Sequence, residues 1–223
     1  MCAQVDKRDF DRGLELVQAG DENGLRQFLE QNPDASEARD ATGVSLVMHS
    51  VYRGRRDLGE LIASKKKTLD RFEAAALGQI DQLRSCCGDR DAVNSVSADG
   101  FTALHFACFF RQPDAARVLI ENGAAVDVAA ANPTQVMPLH SAASARNLEA
   151  ARLLLEHGAP VNARQQAGWV PLHSAAQNGD RAMVELLLAH GAKPELTNEQ
   201  GKTAAAVARE KKHLEVADLL CPS

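Results

Sequence analysis

Aromatic residues are scarce in this chain: seven phenylalanines, one tyrosine and one tryptophan among 223 residues. A core built on large rings is therefore excluded, and the abundant alanine points instead to helices packed closely on one another. Long apolar runs are missing too. No stretch reaches 18 apolar residues, so no membrane span is expected. The opening MCAQVDKRDFDRG is charged and has no apolar segment, so no secretory signal is expected, and Cys2 lacks the run a lipoprotein signal needs. Positive charge is in deficit, with a net charge of −5, which argues against nucleic acid as a partner. The five cysteines (Cys2, Cys86, Cys87, Cys108 and Cys221) are odd in number, irregular in spacing and free of any C-x-x-C. They predict reduced thiols in a cytoplasmic protein, not a disulfide framework. No Gly-rich phosphate loop follows a strand, and no paired acids stand at a credible site.

What the chain does contain is a repeat. TALHFACFFRQPDAARVLIENGAAV aligns with MPLHSAASARNLEAARLLLEHGAPV and with VPLHSAAQNGDRAMVELLLAHGAKP, and TAAAVAREKKHLEVADLL follows the same pattern. The Leu-His pair falls at 104–105, 139–140 and 172–173, and the Gly-Ala pair at 123–124, 158–159 and 191–192. Both series step by 35 and then 33 residues. The N-terminal half is more degenerate, but one position keeps the register visible: the residue that ends the first helix of each unit. It is Gly20, Gly54, Gly78, Arg111, Arg146, Gly179 and Lys212, with steps of 34, 24, 33, 35, 33 and 33. The short step implies that about nine residues, the length of an extended finger, are missing between the second and third units.

A turn and two helices every 33 residues, with a T-P-L-H-x-A signature, is the ankyrin pattern. The chain resembles ankyrin-repeat proteins over about residues 8 to 221. More narrowly, it is similar to a group of small stand-alone bacterial ankyrin-repeat proteins in YRGRR (52–56), FEAAALG (72–78), ADGFTALHFACFF (98–110) and ARQQAGWVPLHSAAQNGD (163–180). The fold expected is an all-α ankyrin solenoid of helix–turn–helix units with short β-turn fingers, one domain over 1–223. Its seven units fall at about 8–37, 38–66, 67–96, 97–130, 131–163, 164–196 and 197–223.

The residues give physical reasons for each unit. Thr102 is placed to cap the first helix, Pro138 and Pro171 suit a first helical turn, and Met137 and Val170 forgo the hydroxyl cap. Leu104, Ala107, Cys108 and Arg111 share one helix face, with small residues at 107–108, 142–143 and 175–176 permitting close approach. The second helix starts near Pro113, Asn147 or Asp180, and Gly123, Gly158 and Gly191 end it as left-handed residues. A unit cannot cover its own apolar face, so units stack, and the termini are expected to be polar caps, with Glu210, Lys211 and Lys212 facing water.

His105, His140 and His173 recur at one position in three units. Stacked helices lie about 8–10 Å apart, too far for one metal to hold all three. In ankyrin-like units this histidine hydrogen-bonds the turn backbone, so a structural role is expected. His157 and His190 stand at helix C-termini, where a cation suits the dipole. Cys108, three residues after His105, raises a Cys–His nucleophile, but it occupies an inward small-residue position and a nucleophile needs access. Cys86 and Cys87 are a vicinal pair expected to be partly buried at a helix end.

The aromatics carry the functional expectation. In ankyrin register, the contact positions are those around the turn glycine and the two before the residue that ends the first helix. Tyr52 and Arg53, Ala76 and Leu77, Phe109 and Phe110, Ser144 and Ala145, and Gln177 and Asn178 fill the latter pair, while Phe101 and Trp169 follow turn glycines. Five of the nine aromatics thus fall at nominally exposed positions, with Phe106 one turn before Phe110. Such clustering marks an interaction site, or rings packed on one another and into the gap of the missing finger. Arg53, Arg55, Arg56, Arg111 and Arg146 form a positive edge beside them, either solvated or poised for carboxylates of a partner.

The function expected is non-catalytic protein–protein binding through the concave helix and finger surface, by a monomer that needs no cofactor or metal, with no membrane or nucleic-acid partner. The anchors are Tyr52, Leu77, Phe101, Phe109, Phe110 and Trp169, with Arg53, Arg111, Arg146, Gln177 and Asn178 as polar contacts. The alternatives are an inhibitor or scaffold of a specific enzyme, a Cys108–His105 enzyme, and a nucleic-acid binder using the arginine edge.

Overall fold

The computed structural model describes residues 7–88 and 90–221. Among them the chain forms seven helix pairs: α1 (Lys7–Ala19) with α2 (Glu22–Gln31), α3 (Leu46–Tyr52) with α4 (Arg56–Ala63), and α5 (Arg71–Leu77) with α6 (Ile80–Cys86). After a single helical turn, α7 (Arg90–Asn94), come α8 (Ala103–Phe109) with α9 (Pro113–Glu121), and α10 (Pro138–Ser144) with α11 (Leu148–Glu156). The last are α12 (Pro171–Asn178) with α13 (Arg181–Ala189), and α14 (Ala204–Glu210) with α15 (Leu214–Leu220). First helices stack on first helices (α3, α5, α8, α10, α12, α14) and second helices on second helices (α6, α9, α11, α13, α15). Cys2 lies outside the described residues.

Each pair is turned by the residue the sequence marks. Gly20, Gly54, Gly78 and Gly179 have φ of 65–71°, and Arg111, Arg146 and Lys212 adopt the same left-handed conformation at 59°, 56° and 65°. Gly123, Gly158 and Gly191 end the second helices at φ 84–90°. The helix starts differ in chemistry. Ser45 and Thr203 accept from Met48 and Ala206 N–H, Asn147 and Asp180 from Ala150 and Met183 N–H. Met137 and Val170 have no side-chain cap; there the backbone N–H donates instead to Nδ1 of His140 or His173.

The core is a single run of Leu, Val and Ala, with α8 buried from Ala103 to Cys108 and α12 from Pro171 to Ala176. Burying one Leu of this kind stabilises by roughly 1.5–3 kcal/mol, so stacking outweighs the weak intrinsic stability of seven-residue helices.

Fingers link consecutive pairs. Three are pinched by a bridge: Arg39 with Ser45, Val96 with Thr102, and Thr197 with Thr203. Their tips join by backbone bonds: Ala131 N–H to Gly100 O (2.8 Å), Gln166 N–H to Thr134 O (2.9 Å) and Glu199 N–H to Ala167 O (3.0 Å). Gly100 is required here, since its φ is +85° and a Cβ would stand 2.7 Å from Ala131 O.

Between α4 and α5 only residues 64–70 intervene, against 122–137 between α9 and α10. Fingers 39–45 and 96–102 close over this gap, and a Cβ on Gly43 would touch that of Ala98 at 3.4 Å. Charge pins the short link. The buried Lys66 Nζ lies 3.0 Å from Glu37 and 3.2 Å from the buried Glu73, and Arg39 pairs with Asp70 at 2.7 Å. Glu73 also accepts from Asp70 N–H (3.0 Å), closing a reciprocal cap on α5 with Asp70, which accepts from Glu73 N–H (2.9 Å).

Candidate functional site

Two adjoining hollows lie in the angle between fingers and first helices. The first, about 300 Å³, has Tyr52, Phe101, Phe106 and Phe109 as ring walls, closed by Val136 and Thr134 from the next finger and by His105, Ser141 and Ser144. The second, about 410 Å³, shares Thr134, Val136 and Ser144, and is completed by Gln165–Ala167, Trp169, Ser174 and Gln177. Together they make one groove across the second to sixth helix pairs. Its first half is apolar and its second is lined by polar and apolar groups alike.

The rings hold one another in place. Phe106 is buried and central: Phe110 stacks on it at 6.3 Å, and Phe72, Phe101 and Tyr52 lie 6.0, 5.7 and 6.3 Å away. Tyr52 also meets Phe110 at 6.0 Å, so rings of the second and fourth pairs join across the alanine face of the third, where Ala76 is fully buried. The Tyr52 hydroxyl donates to the Asp99 carboxylate. Burial, together with that carboxylate, pushes the phenol above its ordinary pKa. Tyr52, Phe72 and Phe106 also line a smaller space of about 190 Å³ at the missing finger.

The expected contact residues separate into groups. Tyr52 (42% exposed) and Phe109 (51%) present rings to solvent, and Phe101 and Trp169 are half-buried walls. Gln177 is exposed in the second hollow. Two expectations need correction. Leu77 is 1% exposed: it packs back onto α4, where Gly59 leaves room (3.6 Å to a built Cβ), and is a core residue rather than an anchor. Phe110 is half-buried under Phe109, in an edge contact at 5.3 Å, and supports the groove without lining it. Asn178 uses its side-chain amide on the Ala143 and Ser144 carbonyls (3.2 and 3.0 Å), which ties α12 to the end of α10.

The arginine edge is less uniform than its sequence implies. Arg55 pairs with Asp57 and Arg56 with Glu60, each at 2.8 Å, and Arg56 also donates to Leu77 O. Arg53 turns back on His49, donating to its carbonyl at 3.0 Å. Arg146 donates to Asn178 O. Arg111 is exposed. Among the described residues, no carboxylate pairs with Arg53, Arg111 or Arg146.

The repeated histidines are joints between helix and finger. Nδ1 of His105, His140 and His173 accepts from the N–H of residue 102, 137 or 170 at 3.1–3.2 Å. Nε2–H therefore donates to the carbonyl of Val136, Ala163 or Lys202 at 2.9–3.0 Å. This geometry fits a neutral ring, and burial pulls His105 and His140 down to about 4 and lowers His173. His157 and His190 meet the helix ends differently, with Nδ1–H donating to the Leu153 and Leu186 carbonyls (2.8 and 2.9 Å).

Cys108 is fully buried, and burial pushes its thiol far up, the reverse of what a nucleophile needs. Both nitrogens of His105 are already engaged. Cys86 and Cys87 are half-buried at the end of α6, and Cys86 donates to Leu69 O at 3.3 Å. Among the described residues no cluster of His, Cys, Asp or Glu could hold a metal, and no helix is long and apolar enough to cross a membrane.

Sequence reasoning missed the opposite wall of the groove. Val136 and Thr134 sit in the finger with the two-residue insertion, and a register argument has no position for inserted residues. It also missed the Lys66–Glu73 pair, whose signal was a lone Glu opening the apolar run FEAAALG. In the comparison with known families, a model described as ankyrin repeats (3 copies) matches residues 72–165, and a second, ankyrin repeats (many copies), matches residues 154–208. No curated protein matches the chain. With the helix pairs, left-handed turns and finger-bound histidines in the same register, the chain belongs to the ankyrin-repeat family.

Proposed function

We propose that this protein is a non-catalytic binding module that docks a protein partner in the groove between its fingers and first helices. Ankyrin repeats are generally protein–protein interaction modules. The observation that carries the reading to a place is the apolar hollow of about 300 Å³ with the exposed Phe109 ring on its rim. Exposed aromatics beside a preformed apolar recess are what binding hot spots are made of. Tyr52, Phe101, Phe109 and Trp169 are the anchors, and Arg53, Arg111, Arg146 and Gln177 the polar rim. All seven units serve as one scaffold, acting as a monomer in the cytoplasm. The rings that position the anchors are tied to one another, so docking requires little reorganisation and affinity is not spent on ordering. The burial of Cys108 and the engagement of His105 support a role without catalysis.

Phe109→Ser tests the reading. The ring is half exposed, so the variant should melt within about 3 °C of the parent, since an exposed substitution costs little. Immobilised parent and variant are then compared for proteins retained from lysate of the source cells. Loss of the specific bands with an unchanged melting curve supports groove docking; identical captures by both forms sink it.

A further inference from the structure

We infer that the groove takes an extended acidic segment carrying one uncharged apolar side chain for the cavity and two carboxylates three residues apart for Arg111 and Arg146. This rests on the groove reading above and adds the partner's chemistry to it.

Arg111 and Arg146 stand at the left-handed turn that glycine fills in four other pairs. A Cβ is disfavoured there, so the side chain is not placed by backbone preference. Both residues are exposed, and neither has an ion pair among the described residues, although acids outnumber bases by five in the chain. Arg146 gives an N–H to Asn178 O, which leaves most of its five donors open. Each arginine follows, by two residues, a wall residue of the apolar cavity: Phe109 and Ser144. Two consecutive pairs therefore carry an exposed arginine two residues beyond a wall residue of the same cavity. No charged side chain lines the cavity itself, so it suits a neutral apolar group.

The spacing follows from the stack. Neighbouring packed helices lie about 8–10 Å apart, which sets the interval between the two turns that carry the arginines. A polyproline-II segment rises about 3.1 Å per residue with three residues per turn, so side chains at i and i+3 project to one side about 9 Å apart. A β-strand would send i and i+3 to opposite sides. The motif predicted is thus an acid at i and i+3 with an apolar residue nearby, in a segment that does not fold into a helix.

The test uses fluorescein-labelled synthetic eleven-residue peptides in a Pro/Ala background, each with one leucine. They carry Glu at i and i+3, Glu at i and i+2, Gln at i and i+3, or Lys at i and i+3, and binding is read by anisotropy at low and high salt. An exposed ion pair contributes up to about fivefold, so the Glu i, i+3 peptide should bind roughly tenfold more tightly than its Gln counterpart and lose most of that advantage at high salt. In the Arg111→Gly/Arg146→Gly protein the advantage should vanish. Glycine is the residue the turn favours, so this variant stays folded, checked by its melting curve. The inference is overturned if Glu and Gln peptides bind alike, if Lys binds best, if the i+2 spacing matches i+3, if the advantage survives the double glycine variant, or if no peptide binds at millimolar concentration. A Gln peptide that binds as well as Glu and is lost with Phe109→Ser would leave the groove reading standing and remove the acidic partner. Concentration-dependent dimerisation abolished by Phe109→Ser would assign the groove to a second copy and overturn the inference as well.

Discussion

Acidification should loosen the fingers before it titrates most carboxylates. His105 and His140 are held neutral with folded pKa values of about 4, against an ordinary value near 6.5. Between those values the unfolded chain binds more protons than the folded one, so stability is whole above pH 6.5 and is lost as pH falls toward 4. From pH 7 to pH 5 the linkage relation gives a loss of about 2 kcal/mol for each ring, hence about 4 kcal/mol for the two. His173 is shifted in the same direction and adds to the loss. Domains have total stabilities of about 5–15 kcal/mol, so this is a large fraction. For a chain of this size it corresponds to a fall in melting temperature of roughly 8–16 °C. Burial would raise the Asp40 carboxylate, but hydrogen bonds from Thr42 and His49 hold it at about 2, so its contribution is lost only at lower pH and does not enter this window. The assay is urea or thermal unfolding at pH 7, 6 and 5, for the parent and for His105→Asn/His140→Asn. The variant should be less stable at pH 7 but should have lost most of the slope between pH 7 and 5. A flat parent profile, or an equal slope in the variant, would refute the assignment of the neutral rings. Hydrogen exchange offers a local check, because the amides of Ala130 and Gln165, which bond Val136 and Trp169 within the fingers, should lose protection first.

Other outcomes follow from the same contacts. Arg111→Gly should stabilise by about 1 kcal/mol, read as an upward shift in urea midpoint, because it removes a Cβ from a left-handed turn and breaks no described bond. Phe106→Ala should cost about 3–5 kcal/mol, in contrast to Phe109→Ser, since Phe106 is the buried centre of the ring cluster; near-equal effects in denaturation would contradict the packing described. Lys66→Ala should cost less than the about 3–5 kcal/mol of a fully orphaned buried charge, since Glu73 keeps Arg39 at 3.9 Å, and Lys66→Ala/Glu73→Gln should recover much of the loss in a double-mutant cycle. A thiol reagent under native conditions should label Cys221, which is exposed, and spare Cys108 until the chain is unfolded; fast native labelling of Cys108 would reopen the nucleophile reading.

Much of the fold was legible because an ankyrin unit repeats its constraints. The turn position is the clearest case: Arg111, Arg146 and Lys212 adopt positive φ although their residue type disfavours it, and only the spacing to Gly20, Gly54, Gly78 and Gly179 reveals this. The histidine joints were legible for the same reason. Exposure was legible where register alone decides it, as at Tyr52, Phe109 and Gln177. It failed at Leu77 because the third pair is the one without its finger. There Tyr52 and Phe110 close across Ala76, and Gly59 opens a slot on α4 that draws Leu77 inward. Register cannot foresee a contact between the second and fourth pairs, since it describes each pair by its immediate neighbours. The arginine edge divides for a different reason. Arg55 and Arg56 find acids two and four residues away, and such local pairing depends on side-chain reach rather than on the repeat.

The finger ladder has a consequence for how the chain comes apart. From Gly100 to Glu199 each finger is fastened to the next by a main-chain hydrogen bond between the tips, so neighbour couples to neighbour. At the gap between α4 and α5 the fastening changes to side-chain rings and ion pairs. An array of coupled units behaves as a one-dimensional lattice, and a lattice with one altered bond places its domain wall there. Partial unfolding should therefore yield a five-pair C-terminal block and a two-pair N-terminal block, with the boundary encoded by an absent finger rather than by a linker.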